Sequence, residues 1–178
     1  MHVKTKKISF LGLLLALNIL LQLLGSYVEV STLTFMVISS LCLGIAIYET
    51  NLTLGGAFLI ASAALSFLLL PDKFHCLTYI CLCLYIYFQE VIRRKTFLWK
   101  HQKLIWVPKL IFFNLFFLFP ALSFFPELLF ATKIQWNFWV YVGVILFAQG
   151  ILILFDIFYN RFIPGYWIVL KKRLRIDL

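Results

Sequence analysis

Charge is scarce in this chain. Only 13% of its 178 residues are charged, and just seven are Asp or Glu. The three histidines, His2, His75 and His101, lie far apart. No H-E-x-x-H zinc helix, no paired acidic motif and no G-x-S-x-G elbow occurs. Without such constellations the chain offers no catalytic residues, no metal ligands and no cofactor site. There is also no G-x-x-x-x-G-K-[ST] loop, so ATP cannot be held by a P-loop. If the chain transports, its energy comes from another subunit. Cys42, Cys76, Cys81 and Cys83 form no C-x-x-C pair and sit in or beside apolar runs. They read as small hydrophobes, not as a redox or metal centre.

Apolar residues are abundant. They make up 63% of the chain, and mean hydropathy is +1.00. A soluble domain of this size has too little interior to hide that surface, so bilayer is its natural solvent. Each spanning helix takes roughly 20 apolar residues, which allows about six spans. Six apolar segments stand out, at 8–26, 33–48, 54–70, 74–92, 104–125 and 136–158. The expected fold is all-α: one polytopic membrane bundle of six transmembrane helices, followed by a basic tail over 159–178. The first run is long for a signal sequence, and no A-x-A site follows it, so it reads as a retained helix. Pro108 and Pro120 predict a kink in the fifth span. No internal repeat is evident, which argues against an inverted-repeat carrier.

A net charge of +9 would suggest nucleic acid in a soluble protein. Here position matters more, and no nucleic-acid partner is expected. Fourteen of the sixteen Lys and Arg fall at the N-terminus, around Arg93–Lys109 and from Arg161 to Arg175; only Lys73 and Lys133 lie on the other side. By the positive-inside rule both termini are cytoplasmic. Asn51-Leu52-Thr53 matches a glycosylation sequon but falls on the cytoplasmic side. After Pro164, "GYWIVLKKRLRIDL" suits a tail lying on the anionic inner leaflet, or a cluster that only sets topology. In the six-span reading no acidic residue lies at mid-membrane. Glu90 and Asp156 read as interfacial partners of Arg93, Arg94 or Arg161. Ion-coupled carriers keep ionisable groups inside the membrane, and that machinery is not expected here.

Uncharged polar groups do occur at depth. Asn18, Asn114 and Gln149 fall near the middle of spans one, five and six. Gln22, Tyr79 and Tyr141 fall in outer halves. An amide in hydrocarbon needs a partner. Two readings stand: hydrogen bonds between helices, or a pocket open to the outside that binds a small solute. Lys73 and His75, in the outer loop 71–75, are either solute contacts or ordinary loop charge. At about 100° per residue, Ser9, Gly12 and Ala16 form one stripe of the first helix. Asn18, Gln22 and Gly25 form another, roughly 150° away. The amides should face the bundle, which frees Gly12 and Ala16 for a neighbour on the other side.

The first 95 or so residues carry a resemblance. "ISFLGLLLALNILLQLLGSYVEV" and "LTFMVISSLCLGIAIYETNLTLGGAFLIASAALSFLLLPDKF" look like the substrate-binding S component of energy-coupling factor (ECF) transporters, which take up vitamins in bacteria. That resemblance implies a substrate-binding subunit for a small micronutrient in the bacterial plasma membrane. It also implies a transmembrane scaffold subunit and two ATPase subunits as partners. The family's A-x-x-x-A docking stripe matches Gly12 and Ala16, with Gly in the first place. The loop Tyr27–Thr32 occupies the position that covers solute in the family, and Ala57 and Ala61 form a further small stripe. The alternative is a non-transporting membrane protein that serves as a structural or assembly subunit.

Overall fold

The computed structural model describes residues 2–28, 31–94, 102–115 and 138–173. Helices account for nearly all of them, and there is no strand among the described residues. In chain order they are α1 (His2–Tyr27), α2 (Thr32–Glu49), α3 (Leu52–Leu69), α4 (Lys73–Arg94), α5 (Gln102–Phe113) and α6 (Phe138–Arg161). A π-helical segment, Phe162–Trp167, joins α6 to a short α7, Ile168–Arg173.

Five helical stretches are long and apolar enough to cross a membrane: Thr5–Tyr27, Thr32–Glu49, Leu52–Leu69, Lys73–Arg94 and Ile145–Arg173. The first four expected spans correspond to α1–α4. Of the expected fifth span, 104–125, only the start is described, as α5 with Pro108 inside it and a π turn at Asn114–Leu115. The rest of that span lies outside the described residues, as do the loop 126–135 and residues 29–30 of the first outer loop.

Short, capped connections hold α2, α3 and α4 side by side. Two residues separate α2 from α3. Asn51 caps α3, its side chain accepting from the Leu54 N–H at 2.8 Å. The sequon asparagine is thus a helix cap. Gly55 follows one turn later, where a Cβ would overlap the Ile47 side chain; without it α2 and α3 meet at close range. Between α3 and α4, Lys73 donates to the carbonyls of Phe67 (2.6 Å) and Leu70 (3.1 Å). A cation on the last carbonyls of α3 also suits the helix dipole. His75 Nδ1 lies 2.7 Å from Asp72. Both outer-loop residues therefore have local partners.

The central helix is α2. It packs against α1, α3 and α4, and Met36 and every residue from Ser39 to Ile47 are buried. Small residues (Ser39, Ser40, Gly44, Ala46) let its neighbours come close. Its core partners include Leu14, Phe58, Cys83, Ile86 and Tyr159. Cys42 and Cys83 belong to this core as free thiols. Outward faces carry Leu13, Ile60, Phe67, Phe147 and Leu154. Apolar side chains lie outside and amides inside, the arrangement hydrocarbon solvent selects.

Near the C-terminus the structure departs from the expected tail. Helix continues through 159–173, so the last apolar stretch is a longer rod than 136–158. Tyr159, Ile163 and Trp167, spaced four apart, all reach the core. Pro164 lacks an N–H, and the wider π turn around it carries the helix past that gap. Burial of this stripe offsets the break.

Candidate functional site

Two polar layers cross the bundle, and they differ in kind. The first is uncharged and ties α1 to α4. Asn18 Nδ2 donates to the Tyr79 hydroxyl at 2.7 Å, and Tyr79 donates on to Ser62 Oγ at 3.0 Å. Asn18 Oδ1 accepts from Ser39 Oγ at 3.0 Å and from the Gln22 amide one turn away. Gln22 Oε1 in turn accepts from Ser66 Oγ at 2.6 Å. Every member is fully buried. Counted from the ends of their helices, these residues lie roughly 4–14 Å below the end opposite the basic residues, at 1.5 Å per residue. The structure thus brings together Asn18, Gln22 and Tyr79, three of the six residues expected to bind solute. It spends their hydrogen bonds on one another and on three serines.

The second layer is charged and ties α4 to α5 and α6. Asp156 on α6 sits in the middle of the Ile145–Arg173 stretch and is 3% exposed. Its Oδ1 accepts from Lys109 Nζ at 2.6 Å and from the Tyr85 hydroxyl at 3.2 Å; its Oδ2 accepts from Asn160 at 3.0 Å. Gln89 donates to Asn160 at 3.1 Å, one turn along both helices. Closer to the basic end, Glu90 accepts from the Tyr159 hydroxyl at 2.8 Å and pairs with Arg93 at 2.8 Å. Arg94 caps α2 through the Ile47 carbonyl at 2.8 Å.

Two expectations change here. Glu90 does pair with Arg93, but Asp156 pairs with Lys109 and not with an arginine. Asp156 is also deeply buried, because the helix runs on past residue 158 and moves it away from the end. Asp156 is thus a buried charge within a membrane-length helical stretch, where none was expected.

The other expected residues lie apart from the first layer. Gln149 on α6 donates to Asn114 Oδ1 at 2.7 Å, and Asn114 donates back to the Leu110 carbonyl at 2.9 Å. Gln149 Oε1 is buried without a partner among the described residues. The Tyr141 side chain lies outside the described residues. Gly12 and Ala16 are exposed and line an apolar groove of about 440 Å³ between α1 and α3, closed by Ile19, Leu23, Leu65 and Leu69. A Cβ on Gly12 would meet nothing within 4 Å.

Three participants escaped the sequence reading: Ser39, Ser62 and Ser66. Ser62 and Ser66 stand one turn apart on α3, a spacing that marks one polar strip on an otherwise apolar helix. Lys109 counted only toward topology. Its partner is 47 residues away, and no local pattern signals that pairing.

Helices of this length and hydropathy, with amides and charges inside and large apolar side chains outside, define a multi-pass helical membrane protein. Comparison with models of known protein families, with curated proteins and with solved structures finds no match to this chain.

Proposed function

We propose that this chain is the substrate-binding subunit of an ECF-type transporter, taking up a small vitamin-like solute across a bacterial plasma membrane. A scaffold subunit and two ATPases would act as its partners, and it would have no catalytic role of its own. The observation that carries this reading is the two-sided first helix. Asn18 and Gln22 are buried in the bundle, whereas Gly12 and Ala16 look out onto an apolar groove. A docking helix needs this separation: one face fixes it to its own bundle, and the other lets a partner helix approach closely.

The solute would then fall on the α5–α6 side, where Asn114 and Gln149 pair and Gln149 Oε1 has no partner among the described residues. Uptake requires two states with different solute affinity. The test is co-expression with candidate scaffold and ATPase subunits. Gly12→Leu/Ala16→Leu should abolish co-purification of the complex while leaving the isolated subunit folded. An intact complex would falsify the docking assignment.

A second reading has its own support. Asn18, Gln22 and Tyr79 satisfy one another inside the bundle, as in a membrane protein whose polar groups only hold helices together. Native mass spectrometry of the purified protein separates the two. A co-purifying small molecule lost in Gln149→Leu supports the transporter; its absence from wild type supports the structural subunit.

A further inference from the structure

The α6–α7 rod ends in a helix with two unlike faces, and Glu49 decides which face looks outward. The Glu49 carboxylate accepts from Trp167 Nε1 at 2.8 Å and from Lys171 Nζ at 2.6 Å. Phe10 packs on Trp167 with ring centroids 6.2 Å apart. One face of the segment is thereby fixed to the ends of α1 and α2. Beside that contact a groove of about 480 Å³ opens, lined by Trp167 itself together with Phe162, Gly165, Tyr166, Val169, Leu170 and Arg173. Gly165 opens it, since nothing stands within 4 Å of its Cβ position.

Along this groove the chemistry changes from apolar to cationic. Phe162 and Tyr166 stack at 6.2 Å, Val169 and Leu170 follow, and Arg173 closes the end. Lys172 and Arg173 are exposed and form no ion pair among the described residues; Lys171 is already neutralised by Glu49. From Phe162 to Arg173 the helix advances roughly 16 Å. That is close to the ~15 Å depth of hydrocarbon in one leaflet.

We propose that this groove is a binding site for an anionic phospholipid, with an acyl chain along Phe162, Tyr166 and Val169 and the headgroup phosphate on Arg173 and Lys172. Three features select this occupant. The wall is apolar from Phe162 to Leu170, roughly 12 Å of helix, the cations lie only at the basic end, and the neighbouring acid is consumed by Lys171 and Trp167. A zwitterionic lipid fits the same wall but brings no net charge to Lys172 and Arg173.

The test uses the full-length protein in mixed micelles of phosphatidylglycerol and phosphatidylcholine, with native mass spectrometry reading the retained lipid. Wild type should retain phosphatidylglycerol preferentially. Lys172→Gln/Arg173→Gln should weaken that preference by about fivefold per charge removed. The two single variants give the same readout at half the effect should the double variant fail to fold. Gly165→Leu fills the groove and keeps the charge, so it should lower retention of both lipids without changing helicity by circular dichroism. Excess inorganic phosphate should leave bound phosphatidylglycerol in place; displacement would identify a phosphate site and overturn the lipid assignment. Equal retention of the two lipids by wild type, or an unchanged preference in the charge variants, overturns it as well.

Discussion

Helix α4 belongs to both polar layers, through two tyrosines. Tyr79 faces α1–α3, where it joins Asn18 and Ser62 in a layer without charge. Tyr85 lies roughly 9 Å further along, on another face, and meets Asp156 and Lys109 in a layer built on charge. The uncharged layer is a closed exchange of amides and hydroxyls among four helices packed on an apolar core. The charged layer joins α4 to α5 and α6. In hydrocarbon an amide with all its bonds made costs little to keep, whereas a carboxylate is tolerable only beside its counter-ion. The first layer fixes the register of α1–α4. The second adds a buried ion pair, Lys109–Asp156, to the contacts that hold α5 and α6.

Breaking that pair should have the largest effect. Lys109→Met leaves Asp156 buried without its cation, and about 3–5 kcal/mol of stability should be lost. The measurement is detergent-denaturant unfolding followed by circular dichroism. Adding Asp156→Leu should recover most of the loss, because replacing both charges by apolar groups is often neutral. If the double variant is as unstable as the single, the pair is not what holds the charged layer.

A smaller effect should follow in the uncharged layer. Tyr79→Phe removes the acceptor for the 2.7 Å bond from Asn18 and the donor to Ser62. Leaving buried Asn18 Nδ2 with only the Ser39 carbonyl at 3.4 Å should cost about 1–3 kcal/mol in the same assay. Smallest of all should be Tyr85→Phe. Its hydroxyl makes one 3.2 Å bond, and Asp156 keeps Lys109 and Asn160, so the loss should be about 0.6 kcal/mol, the average for such bonds in membranes. Equal costs for the two tyrosines would erase the distinction between the layers.

Much of α1–α4 is legible in the sequence, and for a simple reason. Apolar runs of spanning length, interrupted by Glu49–Asn51 and Pro71–Asp72, must become helices in hydrocarbon because no other local structure satisfies the backbone. The two faces of α1 are equally legible, since the 100° turn of the helix separates Gly12 and Ala16 from Asn18 and Gln22 by arithmetic alone. The end of the last helix was not. Pro164 and the basic cluster signal a boundary, but burial of Tyr159, Ile163 and Trp167 and the two bonds to Glu49 carry the helix to Arg173.

The sequence by itself therefore determined the solvent, the helical class, the end of each of the first four helices to within two residues, and which residues of α1 turn inward. All of these follow from local periodicity and composition. Only the tertiary structure decided the partners. Asn18 meets Tyr79 across 61 residues, and Lys109 meets Asp156 across 47. An amide or a charge in an apolar run announces that a partner is needed. Which residue answers depends on how the helices cross, and that is settled by close packing around α2, not by any one segment.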